Sequence, residues 1–434
     1  MSNKSFKFVD LFSGIGGFEI ALSSSGGTCY GYSEIDSAAK KVYKKNLVKD
    51  KNELNRDLGD ITKLNKLPDV DIFTGGVPCQ SWSIAGKNRG FDDPRGKLWE
   101  DTIRVTKINK PKAFIYENVK GLADPRNKKN LDLILSSFED IGYRVYYSLL
   151  NSYDFGLPQN RTRIFIVGIR KDLASSSFNF PSSQGRPPQI HEFFDDVEEP
   201  EQEKQKLSKE ELFNGRTPGS RNSFQKDDEL NDFFILGDTR DGHTTIHSWE
   251  IRDTTEIEKN ICMALLKNRR RKKYGEKDGN PLSIDHLSEH VPEIKQEHIN
   301  SLIEKDIFRE KEKGKYDFVN SRNSSGINGV YRVYLPTSRI FSTLTATKTR
   351  DKIATTHIHA TCVDEYKNKF IQQVWHPENY RDITAVEAGR LQGFPEWFEP
   401  HKKESVAHKQ FGNAVSVPVA EAVISSVLNR VKIS

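Results

Sequence analysis

The chain has 434 residues, of which 35% are hydrophobic and 29% charged, with 66 Lys and Arg against 61 Asp and Glu. That length holds a large core plus a second domain, and the interspersed charges and apolar content exclude a wholly disordered chain. A formal charge of +5 permits a nucleic-acid partner without arguing for one. Residues 1–7 lack an apolar signal-peptide core, and no stretch reads as long and apolar enough to cross a bilayer. The cysteines Cys29, Cys79, Cys262 and Cys362 have no metal-ligand spacing, so no metal is expected and the chain reads as a reduced, cytoplasmic protein. Cys29, Cys262 and Cys362 read as ordinary buried thiols.

In chain order, residues 7–12 are a predicted strand, followed by the turn Ser13-Gly14-Ile15-Gly16-Gly17 and a helix through Leu22. Residues 28–33 form the next strand, and Asp36 N-caps a helix toward Asn46. Gly59-Asp60-Ile61-Thr62 falls where a third strand is expected to end. Residues 70–74 and 113–116 are short apolar strands, with a helix over 97–107 between them. Leu131, Ile134, Leu135 and Phe138 recur at helical spacing, and residues 143–150 and 163–169 read as further strands. The alternation predicts an α/β fold, a doubly wound, Rossmann-like and mostly parallel sheet.

The character changes after Lys171. Serines, prolines and the acidic stretch 195–203 read as a surface linker. Residues 207–320 are polar and helical in composition, with the basic run Lys267-Asn268-Arg269-Arg270-Arg271-Lys272-Lys273, which is either a solvated face or a phosphate contact. Residues 329–345 are strand-like. Val419, Val423, Ile424, Val427 and Leu428 lie at helical spacing, and such a helix needs an apolar partner, expected in the large domain.

A strand ending at Phe12 and turning through Gly14, Gly16 and Gly17 into a helix is a nucleotide-type site, because glycine admits close backbone approach and the helix start offers free N–H groups. Glu34, ending the next strand, is placed to accept from ribose hydroxyls. The turn alone is equally a plain tight turn, and its spacing departs from Gly-x-Gly-x-x-Gly, which disfavours a nicotinamide cofactor. Asp60 either accepts from an exocyclic amine or is an ordinary turn aspartate.

The run Gly75-Gly76-Val77-Pro78-Cys79-Gln80 puts a thiol at the carboxyl end of a strand, where open α/β sheets bind ligands. A partly exposed cysteine near positive charge is nucleophilic, and the polar loop over 81–95 is long enough to close on a substrate. Glu117 ends a second strand; with its pKa raised by burial it donates a proton to a ring nitrogen. Arg161 and Arg163 sit at alternate positions before another strand, so extended backbone puts both in one cleft. Taken singly, these are a structural thiol, a surface ion pair and solvated arginines.

Together the motifs carry a resemblance. Asp10-Leu11-Phe12-Ser13-Gly14-Ile15-Gly16-Gly17, Gly76-Val77-Pro78-Cys79-Gln80-Ser81-Trp82-Ser83, Glu117-Asn118-Val119, Gln159-Asn160-Arg161-Thr162-Arg163, Gly389-Arg390-Leu391-Gln392-Gly393-Phe394-Pro395 and Gln410-Phe411-Gly412-Asn413-Ala414-Val415 stand in the order of the bacterial-type DNA (cytosine-5)-methyltransferase family. The chain resembles that family over most of its length, with residues 171–339 outside the likeness. The resemblance implies S-adenosylmethionine as cofactor, leaving as S-adenosylhomocysteine. It would lie on Phe12, Gly14, Ile15, Gly16 and Gly17, with Glu34 and Ile35 at the ribose, Asp60 and Ile61 at the adenine, and Pro78, Leu98, Asn413 and Ala414 nearby. It implies Cys79 adding to C6 of cytosine, Glu117 at N3 and the amine, Arg163 at O2 and Arg161 in support. Gln80, Ser83, Asn118 and Val119 complete the substrate side.

The implied domains are a catalytic domain over 1–175, a smaller target-recognition domain over 176–403 and a returning segment over 404–434, with Thr343-Leu344-Thr345-Ala346 helping to organise the second. The implied partner is double-stranded DNA with the target base flipped out, met by a monomer without a membrane, in the cytoplasm and at the nucleoid. A cognate restriction endonuclease acts separately on the same site in such systems. The competing readings are a tRNA cytosine methyltransferase, which the long 171–339 segment disfavours, and a catalytically idle DNA-binding regulator, which the intact Cys79, Glu117 and Arg163 disfavour.

Overall fold

The computed structural model describes residues 5–49, 56–78, 97–174, 178–183, 189–199, 233–237, 245–277, 279–320, 331–347, 349–360 and 363–431. Alternating apolar and β-branched residues give six strands: β1 (Phe6–Leu11), β2 (Gly27–Ser33), β3 (Ile72–Gly76), β4 (Ala113–Val119), β5 (Tyr143–Asn151) and β6 (Thr162–Arg170). They form one sheet in the order β2-β1-β3-β4-β6-β5. The first four run parallel, and β6 is antiparallel to both of its neighbours, which makes it the one reversed strand. β1, β3 and β4 are buried on both faces, as parallel strands covered by helices must be.

The helices are α1 (Gly17–Ser24), α2 (Ser37–Leu47), α3 (Leu98–Asn109) and α4 (Lys128–Asp140). Asp36 caps α2 by accepting from the Ala38 and Ala39 amides, as the sequence predicts. Trp99 and Val105 of α3 and Leu131, Ile134 and Phe138 of α4 fill one side of the sheet against Phe73, Phe114 and Tyr116. The closing helix Val417–Leu428 packs against α1, so its apolar face has the expected partner.

The chain divides into two compact units, one of residues 1–193, 340–349 and 384–434, the other of 194–339 and 350–383. These divisions differ from the 175 and 403 expected. Past residue 175, Phe178 still packs on Tyr146 of β5 (5.6 Å between ring centroids). Residues 384–403 stay with the first unit because Gln159 and Gln392 bond across it. The second unit holds a five-stranded sheet made of Tyr380–Asp382, Lys352–Ala354, Tyr331–Tyr334, Phe233–Leu236 and Thr245–Ile246 in that order, and a separate three-stranded one. Each has its own apolar core.

Three expectations need correction. No strand ends at Gly59-Asp60: a single bridge joins Tyr32 and Asp57, then Gly59 turns the chain (φ 70°) into the 3-10 turn Ile61–Lys63. The segment Glu404–Leu428 is, by length and composition, apolar enough to cross a membrane, yet 61% of its apolar window is buried within the molecule and residues 414–416 interrupt its helix. The basic run is not uniformly solvated either, since Arg269 is buried in an ion pair with Asp317.

Candidate active site

The glycine turn is built around one carboxylate. Phe12 leaves β1 with φ 53°, a left-handed conformation that costs a non-glycine residue about 1 kcal/mol or more. Gly14 (φ 57°) and Gly16 (φ 95°) then close the turn, and Gly16 sits at the start of α1. Glu34, just past β2, accepts from the amide of Gly14 at 2.9 Å with Oε2 and from the amides of Ile35 and Asp36 with Oε1. Nothing lies within 4 Å of where a Gly14 side chain would start, so the outer face of the turn is open. Behind the turn, a Cβ on Gly17 would meet Val415 at 2.9 Å. Val415 and Phe394 thus brace the turn from the closing motifs. Ile15 is buried and Ile35 is 75% exposed beside Glu34. Asp60 accepts from the Thr62 amide, which holds its carboxyl below the usual range, charged and ready to accept another donor. Ile61 beneath it is buried. The Glu34 and Asp60 carboxyls and an open glycine turn fit a ligand carrying a ribose and an amino-purine.

Under this turn lies a buried polar layer that sequence reading missed. Asp10 of β1 is fully buried and accepts from the Thr74 hydroxyl of β3 at 3.0 Å; burial, with Glu19 and Glu34 nearby, raises its pKa well above the usual value. Glu19 of α1 accepts from the Tyr43 hydroxyl and pairs with Arg56 at 3.3 Å. Cys29 is buried beside Tyr43, and its thiol is pushed up by desolvation, which makes it inert. Cys262 is likewise buried and pushed up, and Cys362 lies outside the described residues.

On the reacting side, the register sets Gly76 of β3 directly beside Glu117 of β4. A Cβ on Gly76 would lie 3.7 Å from Glu117 Oε2, so the glycine leaves the carboxyl room. Asn118, almost fully buried, donates to the Val77 carbonyl at 3.0 Å and accepts from the Val119 amide. It fixes the path into Pro78; Val119 and Pro78 are half-buried. Cys79, Gln80 and Ser83, with the rest of the loop to residue 96, lie outside the described residues, and Leu98 begins α3 just after it. Glu117 is buried, and its pKa is raised by desolvation, opposed by the charges of Arg163 and Arg161. Arg163 Nε lies 3.1 Å from Glu117 Oε1, and its guanidinium also donates to the Thr162 carbonyl.

The two arginines do not share a role. Arg161 precedes β6 instead of lying on it, and its buried guanidinium donates to the backbone carbonyls of Leu344 (2.8 Å), Gly412 (3.1 Å) and Ala414 (2.8 Å). Gln159, also fully buried, does the same work with an amide: Nε2 donates to the Leu391 carbonyl at 2.6 Å and Oε1 accepts from the Leu344 amide at 3.2 Å. Gln392 donates to the Phe411 carbonyl and accepts from Ser416, whose hydroxyl meets Ser152 at 2.7 Å. The structure therefore clasps the Gln-x-Arg-x-Arg loop to residues 341–344 and 391–416. Gly412 permits it, because a Cβ there would sit 2.0 Å from the Thr345 carbonyl oxygen. Asn413 is exposed at the end of the helix Glu404–Asn413, and Ala414 is half-buried. The roles of Gln159 and Gln392 carried a signal in the sequence, since each glutamine sits inside a quoted motif.

A mostly parallel sheet that carries a glycine turn braced from below, and a buried glutamate paired with an arginine at a neighbouring strand, fits a methyltransferase. The chain belongs to the C-5 cytosine-specific DNA methylase family, whose family model matches residues 6–429. It is 49% identical to the Type II methyltransferase M.HgiBI of Herpetosiphon aurantiacus, covering 96% of this chain and 95% of that one. It is 35% identical to the Type II methyltransferase M.BanI of Aneurinibacillus aneurinilyticus over 96% and 94% of the two chains. Among solved structures, the Dnmt2 methyltransferase of S. pombe shares the fold with a TM-score of 0.52 at 16% identity, covering 98% of each chain. The chain is thus a DNA (cytosine-5-)-methyltransferase with the α/β sheet expected of it.

Proposed function

We propose that the chain methylates C5 of one cytosine, flipped out of a short specific site in duplex DNA, through a covalent adduct with Cys79, as the modification enzyme of a Type II restriction-modification system. The observation that carries this reading is the Glu117–Arg163 pair beside Gly76, at the strand ends leading into Pro78-Cys79. The Type II names of its relatives support the restriction-modification setting. S-adenosylmethionine, when bound, supplies an electrophilic sulfonium methyl group. Phe12, Gly14, Gly16, Gly17, Glu34 and Asp60 are the residues that would hold it.

Neutral cytosine is a poor carbon nucleophile at C5, so the residues must change its electronics. In this reading the Cys79 thiolate adds to C6 while Glu117 keeps a proton on N3, which moves electron density to C5. Arg163 accompanies Glu117 and contacts O2, and Arg161 positions the loop that carries Arg163. After methyl transfer, C5 loses its proton, the C6–S bond breaks and aromaticity returns. A paired base hides C5 and C6 in the stack, so the base must rotate out. The second unit reads the site, and the enzyme acts as a monomer in the cytoplasm, at the nucleoid, with a separate endonuclease as its counterpart. The test is transfer of labelled methyl from S-adenosylmethionine to duplex DNA and to tRNA, with bisulfite sequencing of DNA from expressing cells. Label in tRNA alone, or no converted-resistant cytosine in a fixed context, overturns the reading.

A further inference from the structure

Residues 249–318 of the second unit fold around a core of their own. The elements run helix Glu256–Asn268, strand Leu282–Ser283, helix Ile284–Ser288, helix Gln296–Glu304, then a hairpin of Phe308–Glu312 and Lys315–Phe318. The first strand pairs antiparallel with the second strand of the hairpin, so that strand lies in the middle of the sheet. Helix, strand, helix, helix, hairpin with this pairing is a helix-turn-helix carrying a β-hairpin wing. Ile261 and Leu265, Leu287, Ile299 and Leu302 bring the three helices together over Phe308 and Phe318. Arg269, ending the first helix, is buried with Asp317 of the wing at 3.1 Å. The framework is therefore fixed by packing and by a charge pair, and the third helix is left with a free face.

That face has the chemistry of base recognition. Ile299 and Leu302 point into the core, and Gln296, Glu297, Asn300 and Glu304 are exposed. Gln296 donates to Asn300 at 3.0 Å, so the two amides hold each other in place. Side-chain amides pair with adenine edges in the major groove, and carboxylates accept from the cytosine amine. Carboxylates on the face also repel phosphate, so attraction must come from its surroundings. The basic loop after the first helix supplies it. Lys273 pairs with Glu289, in the turn before the third helix, and Lys277 pairs with Glu312 of the wing. The loop so tethered carries exposed Arg271 and Lys272, and Lys313 is exposed at the wing tip.

We infer that this module is a duplex-DNA reader, with the helix Gln296–Glu304 entering the major groove and the basic loop and wing on the flanking phosphates. The inference rests on the reading of the chain as a sequence-specific DNA methyltransferase and assigns recognition to particular elements of the second unit. It is tested on the full-length protein by fluorescence anisotropy, with a duplex carrying the site found by bisulfite sequencing and one lacking it. Asn300→Ala with Gln296→Ala is expected to weaken binding to the site about ten-fold or more and leave binding to the other duplex unchanged. Arg271→Ala with Lys272→Ala and Lys313→Ala is expected to weaken both alike and to lower the salt slope by about one for each cation removed. All five side chains are exposed, so unchanged melting temperatures accompany these losses. Wild-type binding and site preference in both variants, with methylation intact, overturns the inference alone. A wild type that makes no 5-methylcytosine in DNA overturns the parent reading and this inference with it.

Discussion

Half-buried Arg163 and buried Glu117 form an ion pair, Nε to Oε1 at 3.1 Å, in which each partner changes what the other can do. Desolvation pushes the Glu117 carboxyl up, and the Arg163 charge is the foremost influence holding it down. Removing the cation therefore moves the titration of Glu117 upward. Arg163→Ala is expected to keep Glu117 protonated to higher pH, seen in the carboxyl stretch by pH-difference infrared spectroscopy. If Glu117 must be protonated at N3, the alkaline limb of kcat/KM shifts the same way while kcat falls. A downward shift of the carboxyl titration contradicts the pairing.

Cys79→Ser separates binding from chemistry. A serine hydroxyl is a far weaker nucleophile near neutral pH than a thiolate. The variant is expected to bind duplex and S-adenosylhomocysteine as the wild type does, with turnover lost by about 1,000-fold or more, and to form no covalent complex with DNA containing 5-fluorocytosine. Turnover like that of the wild type sinks the assignment.

The clasp of Arg161 is a matter of stability before it is one of catalysis. Arg161→Ala orphans two buried carbonyls and one part-buried one, at a cost of about 3 kcal/mol or more. Gly412→Ala drives a methyl group against the Thr345 carbonyl and costs about 1–3 kcal/mol or more, because backbone is the obstacle. Denaturant midpoints are expected to fall in both, and the pair to be less than additive because they perturb one contact set. Midpoints unchanged in Gly412→Ala contradict the close approach.

Asp10 gives stability an acid preference. Its folded pKa is raised, so the folded state holds a proton that the unfolded state releases. That contribution is complete below the unfolded value of about 3.9 and is lost as pH rises toward the folded one. Asp10→Asn keeps the acceptor for Thr74 without a titrating group. Its stability measured by urea unfolding is expected to decline less than the wild type's across that pH range. Parallel curves argue that Asp10 ionises freely.

Sequence periodicity and punctuation carried the local features. The glycine turn, the Asp36 cap, the spacing of Leu131, Ile134 and Phe138 and the strands that carry Glu117 and Arg163 are set within a few residues and were readable there, although the first of these strands runs two residues past Glu117. What depends on distant partners was not. Arg161 looks like half of a pair with Arg163, but its acceptors lie 183 to 253 residues away and only the fold decides which they are. Arg269 sits in a run that reads as solvent-facing, and its burial follows from Asp317, 48 residues on. The missing strand before Asp60 shows the same limit: Gly59 marked a turn, and pairing ended at one bridge.

Residues 340–349 return to the first unit before the chain re-enters the second at 350, so the second unit is made of two separate pieces of chain. If the second unit reads the site, as proposed, recombination that exchanges recognition between relatives has no single cassette to move. A crossover replacing everything from 194 to 383 imports a foreign Leu344 and Thr345 against the native Arg161 and Gly412, and a mismatch there breaks the clasp. Two exchanges that spare 340–349 leave it whole. Hybrids made the second way should inherit the donor's site preference on an intact catalytic chassis, and natural shuffling of specificities should leave its breakpoints on either side of this short native thread.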